Sequence, residues 1–413
     1  MKHNTNIKLL IFFLLFINTN LFSKDNVFNF NKINTFNRIF IKNNTTNFIF
    51  FKNNINIISD NIISDKNFDI SANFYAERNV DGLNFDINNE SENIEKKEQD
   101  TLRYVPEEQF TYADNPRYTL TGARPLLNTE IKPLNAALIG GFYGGVFYVQ
   151  HELQQSTIWK RVGPFQIQED IKYCLWVDKF GHFFGGYGTS YVLSEALQTA
   201  GVSWETSTII GSILGLSYMT YIEILDGYSL DFGFSPSDFY ADVLGAGFFL
   251  AQHYFPVLQN FSPKFEYVNP PWLGEENRKP HDSFIDNYSA QSFWWAVNIR
   301  NLFGGVVKEY LPEWMQLSFG YAAYSMCSPG SDKWTCDPLK SEPVSEWVWG
   351  NRRFIVALDY DLVKLLPDGP PFWNWLKQGL NLFKLPAPAI EFGKSTKFYI
   401  LYPFEFHLGN MRF

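Results

Sequence analysis

Three polar pairs at helical spacing, each set inside an apolar segment, constrain this chain more than any other feature. Asp178 and His182 stand in Val-Asp-Lys-Phe-Gly-His, Glu223 and Asp226 in Tyr-Ile-Glu-Ile-Leu-Asp, and Asp238 and Asp242 in Asp-Phe-Tyr-Ala-Asp. Residues three or four apart share one face of a helix, so each segment offers two polar groups to a common centre. A buried charge is strongly penalised unless it is paired or coordinated. These groups are therefore expected to face one another, a metal, a ligand or water.

The segments around them read as helices. Pro133 suits a first helical turn, and the run behind it, Ile139-Gly140-Gly141-Phe142-Tyr143-Gly144-Gly145, is glycine-rich. Glycine weakens a helix in water, so its abundance predicts close helix–helix contact. A second helix is expected from near Glu169 to Thr199, stopped by Gly201. Ser203 is expected to cap a third helix reaching about Asp226. Ser235 caps a fourth, with Pro236 first inside and Asp238 as the capping-box partner. Gly185, Gly186 and Gly188 are expected to permit close packing, and Glu195 reads as a solvated or paired surface charge.

After Pro270-Pro271 the pattern changes to β-branched and aromatic runs. Residues 293–299, 317–321, 353–360 and 397–402 read as strands, and 372–383 as a short amphipathic helix. The expected class is α+β: a glycine-rich four-helix bundle over 125–260, then a strand-rich, aromatic carboxyl-terminal module over 261–413. A terminal Phe413 behind alternating aromatics resembles the ending of outer-membrane barrels, but the candidate strands are too few to close one.

The chain opens like an exported protein. Lys2 and Lys8 precede or flank an apolar run from Leu9 to Phe22, and Ser23 is a small residue at its end, so residues 1–23 read as a signal peptide. No cysteine lies near that point, so a lipid anchor is not expected there. Residues 24–102 are rich in Asn, Asp and Lys without useful periodicity and read as a mostly disordered spacer. Export agrees with Cys327 and Cys336, which bracket a loop and could form a disulfide in an oxidising compartment. Cys174 reads as a small buried residue.

A net charge of −9 without a basic cluster argues against nucleic acid as a partner. Aromatic residues make up 18% of the chain, a richness common at membrane interfaces. Membrane lipid or another envelope protein is the expected partner, and the location is periplasm or outer membrane. Nucleophile-elbow, Walker, zincin and dinucleotide-binding patterns are all missing.

The order Asp178-Lys179-Phe180-Gly181-His182-Phe183, then Glu223, then Ser237-Asp238-Phe239-Tyr240-Ala241-Asp242-Val243-Leu244-Gly245-Ala246 resembles the motifs of the VanZ-like family. It is still more similar to the YfiM-like family of predicted periplasmic (lipo)proteins of unknown function. Leu385-Pro386-Ala387-Pro388-Ala389-Ile390-Glu391-Phe392 looks like the longer members of that family. The resemblance spans roughly residues 125 to 405. Many relatives carry Asn where this chain has Asp242, and this chain lacks the lipoprotein cysteine. The resemblance implies an envelope protein with a helical core and supplies no reaction.

Beside binding of a small ligand or lipid without turnover, two readings of the polar residues stay open. In one they are structural, fixing helix register in an envelope scaffold or partner-binding module. In the other, Asp178, His182, Glu223, Asp226, Asp238 and Asp242 hold a divalent cation. Asp178, Lys179 and His182 would then serve a metal-dependent hydrolase or transferase acting on a lipid or lipid-linked substrate. His182 could instead be a general acid–base group with Asp178 or Glu223 as its orienter, and Lys179 could neutralise an anionic head group.

Overall fold

Proline and capping signals set the helix starts, and long-range contacts override them in one place. The computed structural model describes residues 103–268, 287–327, 349–408 and 411–412. The signal peptide and spacer expected over 1–102 lie outside the described residues, as does Cys336, the expected partner of Cys327.

Helix α1 (Pro133–Thr157) carries proline in its first turn. Helix α2 (Val177–Thr199) begins eight residues later than the sequence predicts. Cys174, Leu175 and Trp176 adopt left-handed backbone angles, with φ of 45°, 55° and 75°. Such angles cost non-glycine residues roughly 1–2 kcal/mol each, so tertiary contacts must hold them. Leu175 is buried with Val177, Phe265, Phe293 and Tyr321, and the Tyr321 hydroxyl donates to the Leu175 carbonyl. Gly201 ends α2 with φ +93°, where a side chain would collide with the Glu130 carbonyl.

Helix α3 (Trp204–Tyr228) follows Ser203, whose hydroxyl bonds Thr206 Oγ1 (2.8 Å) rather than the helix backbone. Helix α4 (Pro236–Tyr254) starts as expected, with the Ser235 hydroxyl accepting from the Asp238 amide. Among the described residues α3 alone has the length and composition to cross a membrane, and it also carries Glu223 and Asp226.

The glycines divide into two kinds. A Cβ on Gly186 would lie 2.5 Å from the Asp242 carbonyl, and one on Gly245 would lie 2.0 Å from that of Phe183. Gly211 and Gly215 meet the backbone of Ser194 and Ser190 at 2.7 Å. These positions let α2, α3 and α4 touch backbone to backbone. On α1 the expectation of close contact fails at Gly141, Gly144 and Gly145, which face open space, while Gly140 is buried. That helix packs instead through Tyr143, which shares a core with Leu193 and Ala196.

The carboxyl-terminal part is one six-stranded antiparallel sheet in sequential order. Its strands are β1 (Phe261–Tyr267), β2 (Gln291–Val297), β3 (Met315–Cys327), β4 (Trp349–Tyr360), β5 (Ala387–Phe392) and β6 (Thr396–Tyr402). The chain is α+β. The expected strands are present, and β1 and β5 are additions that prolines at 263 and 388 conceal from a propensity reading. Helix α5 (Pro371–Leu380) is the short amphipathic helix.

One sheet face packs on the helices through Phe265, Phe293 and Tyr321 against Phe184 and Val177. The other holds Trp294, Ala322, Ile355, Ala357, Tyr399 and Tyr402. A segment ahead of α1 fastens helices to sheet. Arg117 pairs with buried Glu195 at 2.5 Å, and Glu195 also accepts from Trp375 Nε1 at 3.0 Å. Glu195 is thus paired as expected but lies inside, not on the surface. Gln378 exchanges two hydrogen bonds with the Tyr118 backbone, and Asn115 donates to Asp361.

Candidate metal centre

The close approach of α2 and α4 at Gly186 and Gly245 brings the polar pairs together. Asp178, Lys179 and His182 come from the first turns of α2 and Glu223 from the last turns of α3. Asp238 and Asp242 come from the first two turns of α4. Asp178, Glu223, Asp238 and Asp242 are each at most 4% exposed. The His182 and Lys179 side chains keep 15% and 12% of their surface, so the centre reaches solvent along α2.

His182 lies in the middle. Its Nδ1 is 3.1 Å from Asp242 Oδ1 and 3.6 Å from Glu223 Oε1. Its Nε2 is 3.8 Å from Asp178 Oδ1 and 3.9 Å from Asp238 Oδ1. Two triads result, Asp178–His182–Asp238 and His182–Glu223–Asp242, each with ligand atoms within 4.8 Å of one another. Lys179 Nζ contacts Asp170 Oδ1 (2.5 Å), Asp178 Oδ2 (2.7 Å) and Asp238 Oδ1 (2.6 Å). Its ammonium is thus taken up by three carboxylates.

Asp226 stands apart from both triads and accepts from Trp159 Nε1 at 2.6 Å. The capping box predicted at Ser235 is only half formed. The Ser235 amide donates to Glu223 Oε2 (3.1 Å), not to Asp238, whose carboxylate turns to Lys179.

Three contributors escape sequence reasoning. Asp170 accepts from Lys179 and from the Ser235 hydroxyl (2.6 Å), and the Tyr288 hydroxyl donates to Asp178 Oδ1 (2.6 Å). Trp159 joins through Asp226. Asp170 and Tyr288 lie outside the long helices, where no periodicity marks them.

The electrostatics are uneven. Burial pushes the Glu223 carboxyl up to about 9, and Asp238 up to about 8 with help from Asp178. Burial likewise lifts Asp226 to about 7 and raises Asp242. Asp178 is the exception: burial works upward there too, but Lys179 and His182 outweigh it and hold the carboxyl at about 2. Burial works against a charged His182, yet Asp238 and Asp242 raise it well above the ordinary histidine value. Burial thus favours the protonated form at Glu223, Asp226, Asp238 and Asp242.

Three buried oxygens complete the geometry. Glu223 Oε1, Asp238 Oδ1 and Asp242 Oδ2 have no hydrogen-bond partner, and of these Asp238 Oδ1 lies 2.6 Å from the Lys179 ammonium. An unsatisfied buried carboxylate oxygen is costly, and Glu223 and Asp242 belong to the triad around His182 Nδ1. His with carboxylates is a donor set for zinc, manganese or iron(II) more than for magnesium or calcium, which favour oxygen alone.

Residues 169–252 match the model of a family described as predicted periplasmic lipoprotein (DUF2279). The matched stretch runs from Glu169 to Gln252 and contains every carboxylate of the centre, with Lys179 and His182. It supports kinship with a periplasmic family of unknown function and does not extend to the YfiM-like or VanZ-like likeness. No curated protein and no solved structure matches the chain.

Proposed function

We propose that this is an exported, membrane-associated envelope protein whose helical core binds a divalent cation. The observation that carries the reading is that two buried oxygens have no hydrogen-bond partner: Glu223 Oε1, 3.6 Å from His182 Nδ1, and Asp242 Oδ2, on the carboxylate whose Oδ1 is 3.1 Å from the same nitrogen. A cation there would satisfy both and release the protons that burial now holds. The family description supports the periplasmic placement. Membrane association is supported by apolar side chains that remain exposed in the segment before α2, namely Phe165, Ile167, Ile171 and Trp176.

With water on the cation, the centre would suit hydrolysis or transfer on a lipid or lipid-linked ester. Elemental analysis of the purified full chain beside His182→Ala tests the cation. One equivalent of a transition metal in the parent, lost in the folded variant, is the expected result. Equal, substoichiometric metal in both would overturn the reading.

A second reading has its own observation. Lys179 ties Asp170, Asp178 and Asp238 into a network joining α2, α4 and the segment before α2. If the whole centre served only to hold helices, as in a scaffold or partner-binding module, removing metal would leave thermal stability unchanged. A drop in Tm on chelation speaks for the cation.

A further inference from the structure

The centre has two halves around one imidazole, and they are not equivalent. We infer that a single divalent ion seats in the inner half, on His182 Nδ1, Glu223 and Asp242, and that the Lys179 ammonium is the built-in cation of the outer half. This rests on the cation reading above and fixes its ligands, its stoichiometry and the role of Lys179.

Distances separate the halves. Ligand bonds of about 2.0–2.2 Å at tetrahedral to octahedral angles place donor atoms roughly 3.0–3.5 Å apart. Nδ1 lies 3.1 Å from Asp242 Oδ1 and 3.6 Å from Glu223 Oε1, close to that spacing. Nε2 lies 3.8 and 3.9 Å from Asp178 and Asp238, wider than one ion of this class would hold them.

Partners separate them further. In the outer half, Asp178 Oδ2 and Asp238 Oδ1 already meet Lys179, and Asp178 Oδ1 accepts from Tyr288. Asp238 Oδ1, like Glu223 Oε1 and Asp242 Oδ2 of the inner half, accepts no hydrogen bond, but it lies 2.6 Å from the Lys179 ammonium, whereas the two inner oxygens have no ion pair with a lysine or arginine, and Glu223 and Asp242 are 1% and 0% exposed.

The tautomer follows. With Nδ1 on the ion, the neutral imidazole carries its proton on Nε2, facing the outer carboxylates. A metal-bound histidine whose second nitrogen faces a carboxylate is the usual supporting arrangement around such ions. Asp178 and Asp238 are then positioning residues, and Lys179 balances the charge they carry. Three protein ligands leave further positions on the ion for water or a substrate oxygen.

The test is a Mn2+ titration of the full chain, read by the electron paramagnetic resonance of free ion. The parent is expected to bind one equivalent. Glu223→Gln and Asp242→Asn should abolish it, while Asp178→Asn should keep one equivalent at about 10–100-fold weaker affinity. Lys179→Met, with Asp170, Asp178 and Asp238 left uncompensated, should gain a second equivalent. If that variant does not fold, as judged by circular dichroism, the Glu223→Gln and Asp178→Asn pair decides alone. A parent that binds no Mn2+ overturns the cation reading itself. A parent that binds one equivalent, kept in Glu223→Gln and lost in Asp178→Asn, overturns only the inner placement. A folded Lys179→Met that stays at one equivalent overturns the role given to Lys179.

Discussion

The helices and the sheet each bury a cluster of charges, and the two clusters balance differently. On the sheet, Lys264 Nζ meets Asp359 at 3.0 Å and Lys384 approaches the same carboxylate at 3.9 Å. Arg353 pairs with Glu391, and Glu266 accepts from Ser292 and Trp294. Three bases thus stand among three acids. In the helices, Asp170, Asp178, Glu223, Asp226, Asp238 and Asp242 share, among the described residues, Lys179 and His182.

Asp359 and Glu391 also leave one buried oxygen bare, but the other oxygen of each meets a full cation. Among the described residues Glu223 accepts a hydrogen bond from the Ser235 amide and pairs with no lysine or arginine, while Asp242 has His182 as its partner. Balanced charge reads as architecture, whereas an excess of one sign inside a protein points to something supplied from outside.

The largest effect that would sharpen this contrast is on the sheet. Asp359→Ala leaves Lys264 and Lys384 buried without their carboxylate and should cost about 3–5 kcal/mol of stability in urea denaturation. Added divalent ions should not recover it. A loss below about 1 kcal/mol would mean that the sheet cluster is not the balanced network described.

Next in size is the helix contact that assembles the centre. Gly245→Ala places a Cβ 2.0 Å from the Phe183 carbonyl. It should cost about 1–3 kcal/mol by overpacking and weaken Mn2+ binding with it, because α2 and α4 must separate. Unchanged affinity would show that the ligands do not depend on that approach.

The pH response should also differ between the regions. Burial pushes Glu223 and Asp238 up to about 9 and about 8, from their ordinary 4.5 and 3.8. Their folded forms keep protons that the unfolded chain has lost, so stability falls as pH rises from about 4 towards 9. Saturating Mn2+ should remove the part of that fall due to the centre. Burial lifts Glu266 on the sheet to about 7, and its contribution, a fall between about 4.5 and 7, should persist with the ion bound. Thermal melts from pH 5 to 9 with and without Mn2+ would show identical slopes if the centre takes no ion.

The smallest expected change is a gain. Gly145→Ala on α1 meets nothing within 4 Å and should stabilise the chain by about 1 kcal/mol through helix propensity. A loss in a melting experiment would mean that this face is occupied in solution.

What could be seen in advance follows the range of the interactions. Pro133, Gly201 and Ser235 mark helix ends through local backbone chemistry, and the spacing of Asp178, His182, Glu223, Asp238 and Asp242 places them on facing helix stripes. Asp170 and Tyr288 reach the centre only through the tertiary fold, and no local pattern distinguishes them. The late start of α2 has the same cause, since Leu175 is held in a left-handed turn by a sheet residue, Tyr321. Asp226 shows the limit of spacing: it shares a stripe with Glu223 but turns to Trp159. The glycines of α1 show another, because composition alone does not reveal which glycines meet a neighbour.

Calorimetric titration of the full chain with Mn2+ at neutral pH, in two buffers of different ionisation enthalpy, tests the excess of buried carboxylate most directly. Saturation at one equivalent with release of protons to the buffer is the expected result, since burial raises the proton affinity of Glu223 and Asp242 and an ion would displace those protons. Absence of saturable heat in both buffers, or binding without proton release, would contradict it.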